Sequence, residues 1–330
     1  MEDKILGALY GMAYGDAFAM PPELWPRQRV KDHFGVVTEF LDGPLENDVS
    51  KWFKKGQFTD DTSQATWILD TLIANNMQVN RQKILECLLD WAIKHDAFNK
   101  KFFGPSSEAV LRAAKEGKDT TELTKLSQTN GAAMRIAPIG CMINTKNIKG
   151  LAKLVADVSK CTHGSDVAIA GAALIAGGVS AALDGYDFDD ITDLAIECAN
   201  ESLQYGEPTF SPSIAKRVEL GIKLAQQYAG DDEAFSQNLY DIVGAGVHTA
   251  EAAPCAFALA YYSKTADKCA FMCANLGGDS DTIGAMATAI CGAKCGASTF
   301  KDGVIDLLKS ANNVDFSKYV KPLIDYRYTH

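Results

Sequence analysis

The chain has 330 residues, 47% of them hydrophobic, and carries 32 Lys and Arg against 42 Asp and Glu, a formal net charge of -10. That composition is sufficient for a sizeable core, and the acidic balance argues against a nucleic-acid scaffold or an anionic membrane surface as partner, since both want clustered Lys and Arg. Nine cysteines, an odd number set mostly within apolar helical patterns, read as reduced core thiols of a cytoplasmic protein.

The first residues, Met1-Glu2-Asp3-Lys4, lack the basic region and cleavage site of a secretory leader. No apolar stretch reaches the roughly 18 to 20 uninterrupted uncharged residues expected of a spanning helix. Residues 5 to 20 form an apolar helix with Gly7, Gly11 and Gly15 four apart on one face, a spacing that lets another helix approach closely. Its one buried-looking charge is Asp16, a carboxylate electrostatically misplaced near a helix C-terminus and so in need of donors from elsewhere. Pro21-Pro22 ends that helix ahead of Glu23. Residues 26 to 56 read as a short helix and a long irregular surface segment, with the character of a lid.

Phe58-Thr59-Asp60-Asp61-Thr62 then places a hydroxyl and two acids ahead of an apolar helix. Helical patterns follow over 81 to 97, 106 to 116, 130 to 143, 148 to 161, 166 to 183, 189 to 203, 211 to 229, 233 to 242, 249 to 263, 269 to 274, 282 to 297 and 317 to 326, with no alternating strands. The expectation is one all-α domain spanning residues 1 to 330, a bundle of crossing helices packed around one central cleft, with no linker or internal repeat. Cys269/Cys273 and Cys291/Cys295 lie at i,i+4 without a nearby histidine, so helix packing is the better reading than zinc.

Gly277-Gly278-Asp279-Ser280-Asp281-Thr282 repeats the arrangement of Thr59-Asp60-Asp61 at the mouth of a second, nearly uncharged helix. Like charges at such a place are costly unless a helix N-terminus or a cation offsets them. One acid per helix would serve as an N-cap, and the surplus favours metal. Thr59, Asp60, Asp61, Asp279, Asp281 and Thr282 are all oxygen donors, which selects Mg²⁺, Mn²⁺ or Ca²⁺ over zinc, and four carboxylates suit two divalent ions. No Gly-x-Ser-x-Gly turn, Walker loop or dinucleotide fingerprint competes.

Four motifs together, Gly11 to Glu23 around Gly15-Asp16-Ala17, Phe58 to Thr62, Asn130-Gly131-Ala132-Ala133-Met134-Arg135, and Gly277 to Gly284, resemble those of the ADP-ribosylglycohydrolase family, in the same order and over residues 5 to 297. The resemblance implies an all-α fold with a binuclear Mg²⁺ or Mn²⁺ centre at the base of a cleft, and it assigns as ligands the same six residues. It implies Glu23 as an acid on a movable loop, able to approach metals and substrate, so that Glu23, Asp60 and Asp279 carry the proton and water chemistry. It further implies contacts to an ADP-ribose-type small molecule, free or on an ADP-ribosylated protein, from Gly104, Asn130, Gly131, Ala132 and His163, while the Gly244 to Glu251 turn shapes the pocket. The expected reaction is hydrolysis at the anomeric carbon of a ribosyl group. Two rivals are a hydrolase of small nucleosides or nucleotides with the same metals, and a non-catalytic, crystallin-like member.

Overall fold

Glu2–Ala19 and Ser280–Cys295 run antiparallel along a seam of small residues, and this pair sets the frame of the computed structural model, which describes residues 1–330. A Cβ added to Gly7 would lie 2.1 Å from the Gly292 carbonyl oxygen, and one added to Gly15 would lie 2.0 Å from that of Gly284. Glycine at four-residue intervals therefore permits backbone to touch backbone, and the ends of both helices that carry acids are drawn to one place.

Behind the seam lies Asp166–Asp184, buried throughout from Val167 to Leu183. Ser165 caps its N-terminus by accepting from Ala168 N, and Gly185 ends it at φ 98. By length and composition this 19-residue helix could cross a membrane, closer to that limit than the sequence reading allowed, yet 94% of its apolar window is buried inside the protein. Its hydrophobicity is spent on the core, a continuous cluster of 92 buried residues. Amphipathic helices surround it, among them Ile148–Ser159, Phe188–Ser202 and Ile214–Gln227, capped by Asn147, Asp187 and Ser213.

The chain is all-α, with 18 α-helices and no strands. Three isolated β-bridges replace a sheet, and two of them, Trp25 with Gly278 and Thr129 with His248, tie together loops beside the acids.

Several boundaries differ from the periodic reading. The helix expected over 130 to 143 is a 3₁₀ turn at Asn130–Ala132 followed by the four-residue helix Ala137–Gly140, because Pro138 cannot donate to a preceding turn. The helix from Arg81 stops at Lys94, just before Asp96 at φ 56. Thr121–Leu126 and Val304–Asn312 are additional helices. Residues 26 to 56 are anchored rather than detached: Val37 and Phe40 join the core, and Asn47 and Ser50 donate to the carbonyl of Pro21.

Candidate metal centre and cleft

The acids converge because three helix ends meet. Asp16 leaves the last turn of the first helix, Thr59-Asp60-Asp61 opens Asp60–Ala74, and Asp279 opens Ser280–Cys295. The two helix N-termini point positive ends at this cluster, which offsets part of its charge.

Asp16 receives the donors that its position demanded. Its Oδ1 accepts from Thr59 N at 2.8 Å and Thr59 Oγ1 at 2.9 Å, and its Oδ2 from Thr62 N at 3.1 Å and Thr62 Oγ1 at 2.6 Å. Carboxylate oxygens of Asp16, Asp61 and Asp281 lie within 4.8 Å of one another, and so do those of Glu23, Asp279 and Asp281. Asp281 belongs to both sets, so the geometry describes two adjoining cation-sized cages with one shared wall.

These cages fit hard divalent ions on the molecule's own terms. Asp61 Oδ1 and Asp281 Oδ1 are buried without a hydrogen-bond partner. The Thr59 hydroxyl has one proton but faces carboxylate oxygens of Asp16, Asp61 and Asp281 at 2.9, 2.8 and 3.3 Å. No Lys or Arg forms an ion pair with any of these acids. Buried charge in this density needs compensation, and oxygen-only donors suit Mg²⁺ or Mn²⁺. Burial, the largest cause, pushes the carboxyls of Asp16 and Asp279 up to about 7 and holds Glu23, Asp60, Asp61 and Asp281 above the usual carboxylate range, with repulsion between neighbouring acids adding to it at Asp16, Glu23, Asp60, Asp279 and Asp281.

The other proposed ligands take distinct places. Thr282 is 5% exposed and follows Asp281 in the first turn of its helix, and it lines the cleft with Asp279 and Asp281. Asp60 belongs to neither three-acid set; it stands at the lip, partly exposed although largely surrounded by protein, and accepts from Gln64 Nε2 at 3.0 Å. Glu23 is 9% exposed with its carboxyl against Asp281. Its loop is pinned: Leu24 N donates to Gly278 O at 2.7 Å, and Asn47 Nδ2 donates to Glu23 O at 2.8 Å. The free swing expected after Pro21-Pro22 is thus opposed by cross-chain hydrogen bonds.

The Gly277-Gly278 turn has φ of 84 and 75, a region open to glycine. Arg27 locks it by donating from Nη1 to the carbonyls of Asn275 at 2.6 Å and Leu276 at 3.2 Å. Asp279 N donates to Ala245 O at 2.7 Å, so the Gly244 to Glu251 turn does help shape the site.

Above the acids opens a cleft of about 310 Å³ bordered by Glu23, Asp279, Asp281, Gly104, Asn130 and Gly131. Asn130 Nδ2 donates to Asp279 Oδ2 at 2.5 Å. Ala132 and His163 do not line it: Ala132 is 1% exposed and His163 is 0% exposed, behind Gly131, where an added Cβ would lie 2.8 Å from His163 Cε1.

A hydrogen-bonded chain explains His163. Arg135 can only donate; it gives one bond to Gln64 Oε1, which orients the Gln64 amide toward Asp60, and one to Thr162 Oγ1. Thr162 Oγ1 lies 2.8 Å from His163 Nδ1, and Thr129 Oγ1 lies 3.0 Å from Nε2, so the ring bridges two hydroxyls. Burial, then Arg135, lowers the His163 pKa to about 3, so the ring is neutral and has one donor and one acceptor. Thr129 itself lines the cleft.

Sequence reasoning had not placed Asp16, Gln64, Thr129 or Thr162 in the site. Only Asp16 carried a signal, as the single charge in an apolar helix.

An all-α fold with a buried, oxygen-only acid cluster beneath a cleft defines a class of helical proteins with acids placed to hold a metal ion. The chain belongs to the ADP-ribosylglycohydrolase family, which it matches over residues 1–327. It is 45% identical over 326 residues to the protein from Escherichia coli K12 named "Uncharacterized protein YegU", covering 98% of this chain and 97% of that one. A protein of Archaeoglobus fulgidus, named "Uncharacterized protein", is 28% identical over 295 residues, covering 89% of this chain and 88% of the relative. A solved structure described as an "ADP-ribosylglycohydrolase-related protein complex" shares the fold, with a TM-score of 0.71, 22% identity and 98% of both chains covered.

Proposed function

We propose that this protein is a divalent-cation-dependent hydrolase that cleaves the glycosidic bond between the anomeric carbon of an ADP-ribose-type group and its acceptor. The observation that carries this reading is the pair of carboxylate cages sharing Asp281, set on the floor of a cleft with Glu23 at its wall. Family membership supports a glycohydrolase-type activity for such a site.

Asp16, Asp61 and Asp281 would hold one ion and Glu23, Asp279 and Asp281 the other, with Thr59 and Thr282 supplying hydroxyl oxygens beside them. Mg²⁺ or Mn²⁺ bound there would supply Lewis acidity, lowering the pKa of water beside the ribose hydroxyls. In the overall reaction the bond from the anomeric carbon to the acceptor atom breaks, the electron pair leaves with the acceptor, water supplies the hydroxyl to carbon, and its proton is passed on. Glu23 is the candidate to handle that proton, since it lines the cleft beside Asp279 and Asp281 and burial raises its carboxyl above the usual carboxylate range. Asp60, at the lip and oriented by Gln64, adds negative charge where an oxocarbenium-like transition state develops positive charge. Asn130 steadies Asp279, and the Thr129 hydroxyl is the donor for a substrate oxygen.

A cleft of about 310 Å³ is at the small end for ligand sites, which favours a small nucleoside or nucleotide as the second reading. Incubation with ADP-ribosyl-arginine, ADP-ribosyl-serine, nucleosides and nucleotides, with Mg²⁺, with Mn²⁺ and with excess EDTA, tests both. Metal-dependent release of ADP-ribose supports the first; turnover that persists in EDTA overturns both.

A further inference from the structure

We infer that a second, larger groove meeting the acid cluster at Asp60 is the leaving-group site, built for a planar aromatic group that bears a negatively charged substituent. This rests on the glycosidic hydrolysis proposed above and extends it to the far side of the bond.

The groove has a volume of about 1040 Å³, and Thr59 and Asp60 form part of its wall. Asp60 and Phe102 border both it and the smaller cleft, so the two spaces adjoin at the acids. A bond cleaved over the acids has two sides, and one cleft accommodates only one of them. The ribosyl group belongs in the smaller cleft, which holds the carboxylate cages. What leaves is then directed across Asp60 into the larger space.

Its walls specify chemistry. Trp52, 49% exposed, and Trp67 offer indole faces, and Phe53 and Phe102 pack together with ring centroids 4.9 Å apart. Lys94 Nζ sits 5.1 Å from the Trp67 ring and Lys100 Nζ 5.9 Å from that of Trp52. In this acidic protein many lysines are paired, and the groove's Lys318 is held by Asp70 at 3.2 Å. Lys94 and Lys100 lie over aromatic rings and form no ion pair, although Asp70, Asp96 and Asp315 also line the groove. Flat apolar faces with uncommitted ammonium groups beside them take a stacked ring carrying an anion, as single-stranded nucleotides are taken on aromatic and basic surfaces.

Trp52 and Lys94 border only the larger groove, so they separate it from the cleft. The test titrates adenosine 5'-monophosphate, adenosine and arginine methyl ester into the full-length protein by tryptophan fluorescence, with Mg²⁺ binding followed separately by calorimetry. Saturable binding of the monophosphate, about tenfold weaker in Trp52→Ala and in Lys94→Ala with Mg²⁺ binding unchanged, supports the site. So does about tenfold weaker binding of adenosine, which lacks the anion. Monophosphate binding that both substitutions leave intact overturns the site, because the ligand is then elsewhere. Arginine methyl ester binding more tightly than the monophosphate overturns the ligand class. With an ADP-riboside of a pyridine carboxylic acid added to the panel for its anionic aromatic leaving group, hydrolysis of that compound with KM unchanged by both substitutions makes the leaving-group role fall while the hydrolase reading stands; if the groove binds as expected but neither that compound nor any other panel member is hydrolysed, the binding site stands and the hydrolase reading falls.

Discussion

Gly15 and Gly284 lie backbone to backbone, with a Cβ on either placed 2.0 to 2.4 Å from the other's carbonyl oxygen. Asp16 follows one of them and Asp281 and Thr282 precede the other, so this contact sets the distance across the acid cages. Gly15→Ala cannot be absorbed by a flexible side chain, because the atoms it meets are main chain. It should destabilise by about 1 to 3 kcal/mol and weaken Mg²⁺ binding together with stability. Gly104→Ala, whose Cβ would meet only Thr129 Oγ1 at 3.9 Å, should be nearly neutral in the same urea unfolding series.

Asp281→Asn removes the carboxylate common to both cages, whereas Asp16→Asn touches one. Calorimetric titration with Mg²⁺ or Mn²⁺ should lose both binding events in the first variant and retain one in the second. Two intact events in Asp281→Asn would refute the shared-wall arrangement.

The buried carboxyls give the cation-free protein an unusual pH dependence. Asp16 and Asp279 have folded pKa values raised from 3.8 to about 7, so within that window the folded protein keeps protons that the unfolded chain has released. Stability is therefore fully present near pH 4, falls as pH rises toward 7, and levels off above it. Thermal unfolding of chelator-treated protein across pH 4.5 to 7.5 should show this fall, and less of it in Asp279→Asn. Added Mg²⁺ should restore the midpoint most at the upper end; a midpoint that rises through the window in the Asp279-dependent part would contradict the assignment.

The chain Arg135–Thr162–His163–Thr129 ends at a hydroxyl on the cleft wall. Thr129→Val should weaken ADP-ribose binding by about tenfold, the worth of a hydrogen bond to a polar or charged group, and Thr129→Ser should retain it. Equal affinities for Val and Ser would show that the hydroxyl is not used.

The all-α class and the two acid-bearing helix starts were legible because they rest on local facts: 3.6-residue periodicity, glycine spacing, and carboxylates ahead of apolar runs. The grouping of residues was less so. Nothing local marks Asp60 as standing outside the three-acid sets while Asp61, its neighbour, stands inside; that follows from the direction in which each side chain leaves the first turn. His163 and Ala132 could be placed near the substrate segment by motif, but their burial behind the cleft wall depends on how Gly131 packs on the His163 ring.

By itself, then, the sequence determined that helices would form, that two of them would begin with hydroxyl and acid, and that the glycines of the first helix would let another helix approach closely. Tertiary structure alone decided that Asp16 joins Asp61 and Asp281, that Glu23 is held by Gly278 and Asn47, and that a second groove meets the first at Asp60. The physical reason is range: caps and periodicity act within a few residues, whereas these groupings arise between segments as much as 265 positions apart, through close packing and the need of each buried polar group for a partner.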